Sequence, residues 1–254
     1  MQHVQNDRPT VTGRTRTVVI LLQKSILFVA RYWFLLVTGL VGVILALGFL
    51  APALMSEGQT EAGQAIYRFL APHNHQLPHR SYFLFGSVAG IQSYSLDQVL
   101  GFGADPLQLE AFTGNADIGF KTALNHRMVA IFVAFFLGGL IWGLAGQRPQ
   151  LSFSGLLVMA LPLLIDGFSH MISESSGQGF RDGNSWAVFL TRDVFPAAFY
   201  QGTTVGSLNW LVRNITGLLF GLGLAWFLYT YLSRKFLSVR MKLEPNLRRA
   251  GAIR

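Results

Sequence analysis

The chain has 254 residues, of which 51% are hydrophobic and only 13% are charged. A disordered chain has the opposite composition, and an ordinary soluble domain carries about twice this charged fraction, so the chain resembles neither class. It contains no cysteine, which excludes disulfides, thiolate metal sites and cysteine nucleophiles.

Four apolar runs are each long enough to cross a bilayer, which takes about 20 helical residues. The runs are 32–55, 128–146, 151–172 and 215–232. Because a backbone exposed to lipid has no water to satisfy its polar groups, each run is predicted to be a helix. The predicted fold is an all-α integral membrane protein with four transmembrane helices and partly helical outer loops. Its predicted parts are a basic tail and interfacial helix (1–31), a membrane domain (32–233) with outer loops 56–127 and 173–209, and a second basic tail (234–254).

The formal net charge of +8 is distributed unevenly between these parts. The tails and the turn after the second run hold 13 basic and 2 acidic residues, whereas the long outer connections hold 7 basic and 9 acidic residues. Positive residues gather on the cytoplasmic side of a membrane, so both termini are predicted inside, as an even number of spans requires. Orientation and anionic lipid then explain the charge without nucleic acid as a partner. The expected location is the cytoplasmic membrane of a bacterium.

The segment 17–30 is apolar but is interrupted by Gln23 and Lys24. It predicts either an interfacial helix or the start of a longer, tilted first helix. A cleaved signal peptide competes with both interpretations, since Ala51-Pro52-Ala53 could serve as a cleavage site. An uncleaved helix is favoured because the apolar run is longer than that of a signal peptide and follows a long tail.

The outer loops contain local signals of structure. The segment 82–91 is apolar but too short to cross the membrane, so it is predicted to be re-entrant or interfacial. Ser95 and Gln98 fit a capping box at the start of a short helix, and Asp105-Pro106 predicts the start of another. The segment 115–126 is predicted to be helical, and 173–183 is predicted to be a loop by its composition.

Asp166 is the most informative residue, since it lies inside the third run. An ionisable group at that depth is costly and normally has a partner. His170 lies four residues later and therefore on the same helix face. Arg127 and Arg213 open the second and fourth helices at the outer boundary, so both are predicted to lie close enough to pair with Asp166. The wider predicted polar cluster consists of Arg80, Arg127, Asn209 and Arg213.

The cluster has two interpretations. In the structural one, Asp166 pairs with an arginine and fixes the register of the helices. In the functional one, the outer cluster is a single site, which the rigid loop around His75 and Arg80 covers. As a metal site it would use His75, His126, Asp166 and His170, and this donor set favours zinc or a similar divalent ion, although the spacing matches no metal motif.

Two GxxxG motifs mark close contacts between helices. One is Gly139–Gly143 in the second run, and the other is Gly217–Gly221 in the fourth. Small residues at this spacing let two helix backbones approach closely. We expect these two helices to pack against each other through them, and dimerisation is the alternative.

Four strings with these polar residues resemble the DUF2085 family of membrane proteins. They are NHQLPHRSYFLFG (74–86), NADIGFKTALNHR (115–127), LPLLIDGFSHMI (161–172) and LNWLVRNITGLLFGLG (208–223). The resemblance implies a multi-pass membrane protein and places a site at these residues, but it implies no activity. It also implies cysteines at the positions of Asn74 and Asn125 and a glutamine at that of His170, so this chain lacks any chemistry of that cysteine pair.

Two functional classes remain open. The chain is expected to be a non-catalytic scaffold or accessory subunit of a larger membrane complex, with other membrane subunits and the lipid bilayer as partners. In the alternative, the outer polar site binds a metal or an anionic ligand, or acts on a lipid-linked substrate. No nucleophile elbow, phosphate loop or metalloprotease motif is present in the sequence, which makes an enzyme the less favoured class.

Overall fold

The computed structural model describes residues 13–147, 149–175 and 179–253. Three basic residues used to predict the orientation, Arg8, Arg148 and Arg254, lie outside the described residues, as does part of the predicted loop 173–183. The helices are α1 (Gly13–Ser56), α2 (Thr60–Leu70), α3 (Leu96–Gly101), α4 (His126–Leu144), α5 (Phe153–Ser175), α6 (Phe180–Gly183), α7 (Ser185–Thr191), α8 (Ala197–Tyr200) and α9 (Leu208–Arg249). The strands are β1 (Ser81–Leu84), β2 (Gly114–Asn115) and β3 (Gly119–Asn125).

Four helices, α1, α4, α5 and α9, are long and apolar enough to cross a membrane, which confirms the predicted membrane fold. α1 is one continuous helix of 44 residues, so the segment 17–30 is the start of a long first helix and not a separate element. At about 1.5 Å per residue, α1 is roughly twice as long as the hydrocarbon core of about 30 Å is thick. α1 therefore extends well beyond the hydrocarbon core.

The chain forms two compact units, of which Thr38–Leu228 is the larger. The smaller unit is formed by the chain on either side of it. Within the smaller unit, Nε of Arg31 lies 3.0 Å from Oε1 of Glu244, and the rings of Trp33 and Phe236 stack with their centroids 5.8 Å apart. These contacts join the N-terminal part of α1 to the C-terminal part of α9, and much of the predicted second tail is therefore ordered helix.

The first outer loop contains a small antiparallel sheet, with the strand order β1-β3-β2. The prediction of a helix over 115–126 is wrong, because β2 and β3 occupy most of this segment. The segment 82–91, predicted to be re-entrant or interfacial, is not re-entrant at its start, because its first residues belong to β1 and pair with β3. The side chain of Asn115 accepts hydrogen bonds from the backbone of Asp117 and Ile118, which closes the turn between β2 and β3.

The structure confirms the first of the two predicted helix starts in this loop. Ser95 and Gln98 form the complete capping box of α3. Asp105-Pro106 begins a turn instead of a helix: the Asp105 carboxylate accepts a hydrogen bond from the N–H of Leu107 at 2.8 Å, and a short 3-10 helix follows at Leu109–Ala111. An aspartate that bonds two residues ahead stabilises a turn as readily as a helix start, so the prediction was wrong at this point.

A hydrophobic core joins the sheet to the membrane helices. α2, which the sequence analysis did not predict, buries Tyr67 and Leu70 in this core, where they lie with Ala51 of α1 and with Ala123 and Leu124 of β3. The strands and α2 are therefore packed onto the ends of α1 and α4.

α4 and α9 pack closely through small residues, as predicted. A Cβ added to Gly217 would lie 3.0 Å from both the carbonyl oxygen of Arg127 and the Cβ of Ala130, and one added to Gly221 would collide with the backbone of Ile131. Gly217 and Gly221 are thus buried inside the bundle. This contact confirms the packing function of the second motif.

Candidate functional site

Asp166 is almost completely buried in α5. Its Oδ2 accepts a hydrogen bond from Nη2 of Arg127, in the first turn of α4. The prediction that Asp166 pairs with an arginine or histidine is therefore confirmed. Its Oδ1 accepts a second hydrogen bond, at 2.7 Å, from Nη2 of Arg181 in α6. Two guanidinium groups consequently face one carboxylate, and the sequence analysis had not predicted Arg181 as a partner.

His170 lies between two of the arginines. Its Nε2 is 3.2 Å from Nη2 of Arg181 and 3.3 Å from Nη2 of Arg213. The same nitrogen lies 3.7 Å from Oδ1 of Asp166. A nitrogen that faces two guanidinium donors acts as an acceptor, which requires a neutral imidazole with its proton on Nδ1. His170 thus joins Arg213 to the pair formed by Asp166 and Arg181.

Backbone contacts hold Arg181 in place. Its N–H donates to Oγ of Ser173 at 2.9 Å, and its carbonyl oxygen accepts from Nδ2 of Asn184 at 2.8 Å and from Nδ2 of Asn209 at 2.6 Å. Asn209, predicted as a member of the cluster, therefore acts on the backbone of Arg181. These bonds fix α6 against the end of α5 and the start of α9.

Arg80 forms the outer edge of this group. Its Nη2 makes an ion pair with Oε1 of Glu174, whose side chain is 53% exposed. We call the following residues the arginine cluster: Arg80, Arg127, Arg181 and Arg213 with Asp166, Glu174 and His170. Four guanidinium groups share two carboxylates in this cluster. The cluster therefore carries an excess of positive charge even when His170 is neutral.

Arg213 is the residue where this excess is greatest. It is only 3% exposed, and within the described residues it makes no ion pair shorter than 4 Å. Its Nη2 contacts His170, and its Nη1 has no hydrogen-bond partner among the described residues. A buried guanidinium normally has a carboxylate or phosphate beside it.

A cavity of about 820 Å³ lies at the outer edge of the cluster, where Arg80 and Glu174 line it. It is lined by Leu77, His79, Arg80, Ser95, Leu96, Asp97, Leu109, Glu174, Asp182, Gly183, Gln201, Gly202, Thr203 and Thr204, and we call it the outer cavity. Burial, followed by the charges of Arg80 and Arg213, lowers the pKa of His79 from 6.5 to about 3. His79 is therefore neutral at physiological pH and adds no further charge to the cavity wall.

Two of the predicted site residues are not members of the arginine cluster. His75 lines a different cavity, of about 510 Å³, together with Arg68 and Glu110. His126 is fully buried against Tyr82, with the ring centroids 4.2 Å apart. The predicted single site therefore includes Arg80, Arg127, Asp166, His170 and Arg213, but His75 does not line it.

The predicted metal ligands do not converge. Over residues 13–147, 149–175 and 179–253, no group of three histidine, aspartate or glutamate side chains is placed to hold an ion. Both oxygens of Asp166 accept hydrogen bonds from guanidinium groups, those of Arg127 and Arg181, and His170 faces Arg181 and one further cation, Arg213. A zinc site built from His75, His126, Asp166 and His170 is therefore not supported, because the positive charge around Asp166 opposes a second cation.

Lys121 is a second buried cation that the sequence analysis missed. It lies in β3 with no exposed surface, and its Nζ donates to the carbonyl oxygens of Gln76 at 2.7 Å and Glu110 at 2.6 Å. Burial lowers its pKa from 10.5 to about 7, and the charge of Glu110 opposes the shift. Lys121 thus ties two segments of the outer loop to the sheet.

One comparison with known proteins finds a match. The family model described as "Predicted membrane protein (DUF2085)" matches residues 118–227, which confirms the resemblance over α4, α5 and the N-terminal part of α9. The arginine cluster lies within this segment except for Arg80, which belongs to the string 74–86 outside it. No curated protein and no solved structure matches the chain.

Proposed function

We propose that this multi-pass membrane protein binds an anionic group, a phosphate or a carboxylate, at the arginine cluster. The observation that carries the proposal is the burial of Arg213 without a carboxylate partner among the described residues. An uncompensated buried charge is strongly destabilising, and removing one partner of a buried ion pair typically costs about 3–5 kcal/mol. An anion beside Nη1 of Arg213 would offset this cost.

The outer cavity supplies a route to the cluster. Arg80 and Glu174 belong to both the cavity wall and the cluster, so the cavity reaches the outer edge of the arginine cluster. Because the Glu174 side chain is half exposed, its ion pair with Arg80 is weakened by solvent. An anion that enters the cavity competes with Glu174 for Arg80 and then gains the attraction of Arg213.

This competition gives a test with opposite outcomes for two variants. Inorganic phosphate is titrated into the detergent-solubilised protein, and binding is followed by calorimetry and by the increase in Tm. Glu174→Gln should bind phosphate more tightly than the wild type, because it removes the competing carboxylate. Arg213→Gln should bind it much more weakly. Arg68→Gln, an exposed arginine on α2, is the matched control and should bind like the wild type.

A second set of measurements shows whether the bound anion is free phosphate or a lipid headgroup. The same Tm measurements are made in micelles that contain phosphatidylglycerol or phosphatidylcholine. A lipid ligand stabilises the wild type in micelles without added phosphate, and Arg213→Gln loses that effect. The proposal is overturned if phosphate and both lipids stabilise Arg213→Gln and the wild type equally, since the effect would then come from ionic strength alone.

A non-catalytic accessory subunit is the second candidate function. It is supported by the way in which the cluster ties elements together: Asp166 joins α4 to α6, and His170 joins α5 to α9. Such a tie gives a rigid frame without requiring a ligand. Co-purification from native membranes tests it, because a subunit brings stable partners whereas a lone anion-binding protein does not.

The proposed location is the cytoplasmic membrane, with both termini inside. The basic tails support this orientation, and the contact of Arg31 with Glu244 supports placing the two tails on the same side. Since the chain has no cysteine, single cysteines can be placed at Gln59 and Arg249. In intact cells, an impermeant thiol reagent should label the cysteine at Gln59 and not the one at Arg249. Labelling of the cysteine at Arg249 alone would show the opposite orientation, with both termini outside.

A further inference from the structure

The short helix α7 and the residues after it expose a group of large apolar side chains. They are Trp186 (45% exposed), Phe189 (82%), Leu190 (69%), Val194 (74%) and Phe195 (44%). A contiguous apolar surface of this kind is unfavourable in water and normally marks a contact with a membrane or a protein. α7 belongs to the second outer loop, which the sequence analysis placed outside the bilayer.

The depth of this segment follows from α5. Large apolar side chains on α5 are exposed as far along as Phe168, Met171 and Ile172, so the lipid-facing surface of that helix continues at least to Ile172. The next residue, Ser173, accepts a hydrogen bond from the backbone N–H of Arg181 in α6. α6 is therefore fixed at the level where the lipid-facing surface of α5 ends, and not above it.

The Arg181 side chain gives a second indication of the depth of α6 in the membrane. It reaches Asp166, which lies seven residues before Ser173, or about 10 Å deeper along the helix. Only Asn184 separates α6 from α7, and its left-handed backbone (φ 46°) turns the chain directly into α7. α7 thus begins at the boundary of the hydrocarbon region.

The opposite face of α7 is held by the protein. Ala187 is buried, and Oγ1 of Thr191 lies 2.5 Å from the Tyr200 hydroxyl, which also accepts a hydrogen bond from the N–H of Phe195 at 3.2 Å. These contacts fix the orientation of α7. They leave Phe189 and Leu190, which are 82% and 69% exposed, on the side of α7 that the protein does not cover.

From these contacts we infer that α7 and the segment up to Phe195 are embedded in the leaflet nearest the arginine cluster, with lipid acyl chains as the occupant of the apolar surface. Lipid is the partner that fits because α6, which leads directly into α7, is bonded to α5 at the level where the lipid-facing surface of α5 ends. The position of Trp186 agrees with the enrichment of tryptophan at membrane interfaces. The exposed Arg192, just after α7, is long enough to extend its guanidinium to the headgroups.

The absence of cysteine allows a direct test in the full chain. Phe189→Cys carries a nitroxide label, and the protein is reconstituted into vesicles of phosphatidylcholine and phosphatidylglycerol. Collision rates are measured with oxygen, which partitions into lipid, and with a water-soluble nickel chelate. Ile165→Cys on the exposed face of α5 is the lipid control, and Gln59→Cys, just after α1, is the water control. Leu190→Cys repeats the measurement at a neighbouring exposed position.

We expect Phe189→Cys to have an oxygen-to-nickel ratio close to that of Ile165→Cys and several-fold above that of Gln59→Cys. A ratio like that of Gln59→Cys would overturn the inference, since α7 would then lie in water. A label shielded from both reagents would overturn it as well, because a second copy of the protein would then cover the surface. Phe189 is so exposed that its replacement removes little packing, and the label therefore reports on the native position.

Discussion

Asn125 donates a hydrogen bond from Nδ2 to Oδ1 of Asn74 over 2.6 Å. Asn125 is also the N-cap of α4, where its Oδ1 accepts from the N–H of Met128 at 3.0 Å. Asn74 in turn donates to the carbonyl oxygen of Ala123 at 2.7 Å. The pair therefore fastens the loop after α2 to the end of β3 and to the start of α4.

This contact predicts the effect of replacing both residues by cysteine. In the double variant Asn74→Cys/Asn125→Cys, the two side chains should form a disulfide on oxidation, because they are already in contact. The reduced variant should be less stable than the wild type by about 1 kcal/mol from the lost N-cap alone. Oxidation should raise the stability again by about 2–4 kcal/mol, since it closes a long loop in the unfolded chain.

The measurement is the Tm of the oxidised and reduced forms, together with a count of free thiols. The single variant Asn125→Cys is the control, since it loses the cap and cannot form the bond within one chain. Two free thiols after oxidation would show that the backbone holds the residues too far apart or at the wrong angle. The pair would then act only through its hydrogen bond.

The buried carboxylate of Asp166 predicts an asymmetry between two substitutions. Asp166→Ala leaves Arg127 and Arg181 buried without their anion and should lower the free energy of unfolding by about 3–5 kcal/mol. Asp166→Asn should cost less, since its carboxamide oxygen still accepts one of the two hydrogen bonds. Unfolding in detergent with increasing denaturant measures both. Glu57→Ala, at an exposed position after α1, is the control, and an equal effect at both sites would mean that the ion pairs contribute nothing.

The sequence was sufficient to predict the membrane helices and part of the arginine cluster. Long uncharged runs have few alternatives in a membrane, and a charge within such a run demands a partner, which is why Arg127 could be predicted as a partner of Asp166. Gly217 and Gly221 were equally informative, because their spacing alone places both on one helix face. These are local signals, and each can be recognised within a single element.

The rest of the site depended on contacts between distant segments. Arg181 follows a polar stretch of sequence with no helical periodicity, and its contacts with Ser173 and Asp166 cannot be recognised from that stretch alone. Likewise β3 pairs with β1 across about forty residues of chain, for instance at Ser81 and Asn125. The turn residues Gly114 and Gly119, both with positive φ, were the available signal for the strands. The helix predicted over 115–126 took no account of them.

Lys121 predicts a pH dependence of stability. Its pKa is about 7 in the folded protein and 10.5 when unperturbed, so between these values the unfolded chain binds more protons than the folded one. The stability of the wild type should therefore rise with pH through this window, because the cost of burying the cation disappears as Lys121 loses its proton. Below pH 7 the full cost is present, and above 10.5 none remains.

The comparison with Lys121→Met isolates this contribution. The variant removes the titrating group but leaves the carbonyl oxygens of Gln76 and Glu110 without their donor, which should cost about 1–3 kcal/mol where the lysine is neutral. The Tm of the wild type minus that of the variant should thus increase as the pH rises from 7. Lys24→Met, at an exposed position of α1, should give a difference that does not change with pH. A constant difference for Lys121→Met would mean that the lysine stays protonated throughout.

The close approach of α4 and α9 predicts that the same substitution, glycine to alanine, changes stability differently at two helical positions. Gly221→Ala places a methyl group against the backbone of Ile131 and the side chain of Ala134, so the helices must separate, and stability should fall by about 1–3 kcal/mol. A Cβ at Gly39 in α1 would have no neighbour within 4 Å among the described residues, apart from the adjacent helix backbone. Gly39→Ala should therefore be neutral or stabilising, because alanine has the higher helix propensity. Thermal unfolding of both variants in the same detergent measures the contrast. If Gly221→Ala were as stable as Gly39→Ala, the two helices would not be in close contact at Gly221. Since Gly217 packs directly on the carbonyl oxygen of Arg127, the same separation should also disturb the arginine cluster and weaken phosphate binding in Gly217→Ala.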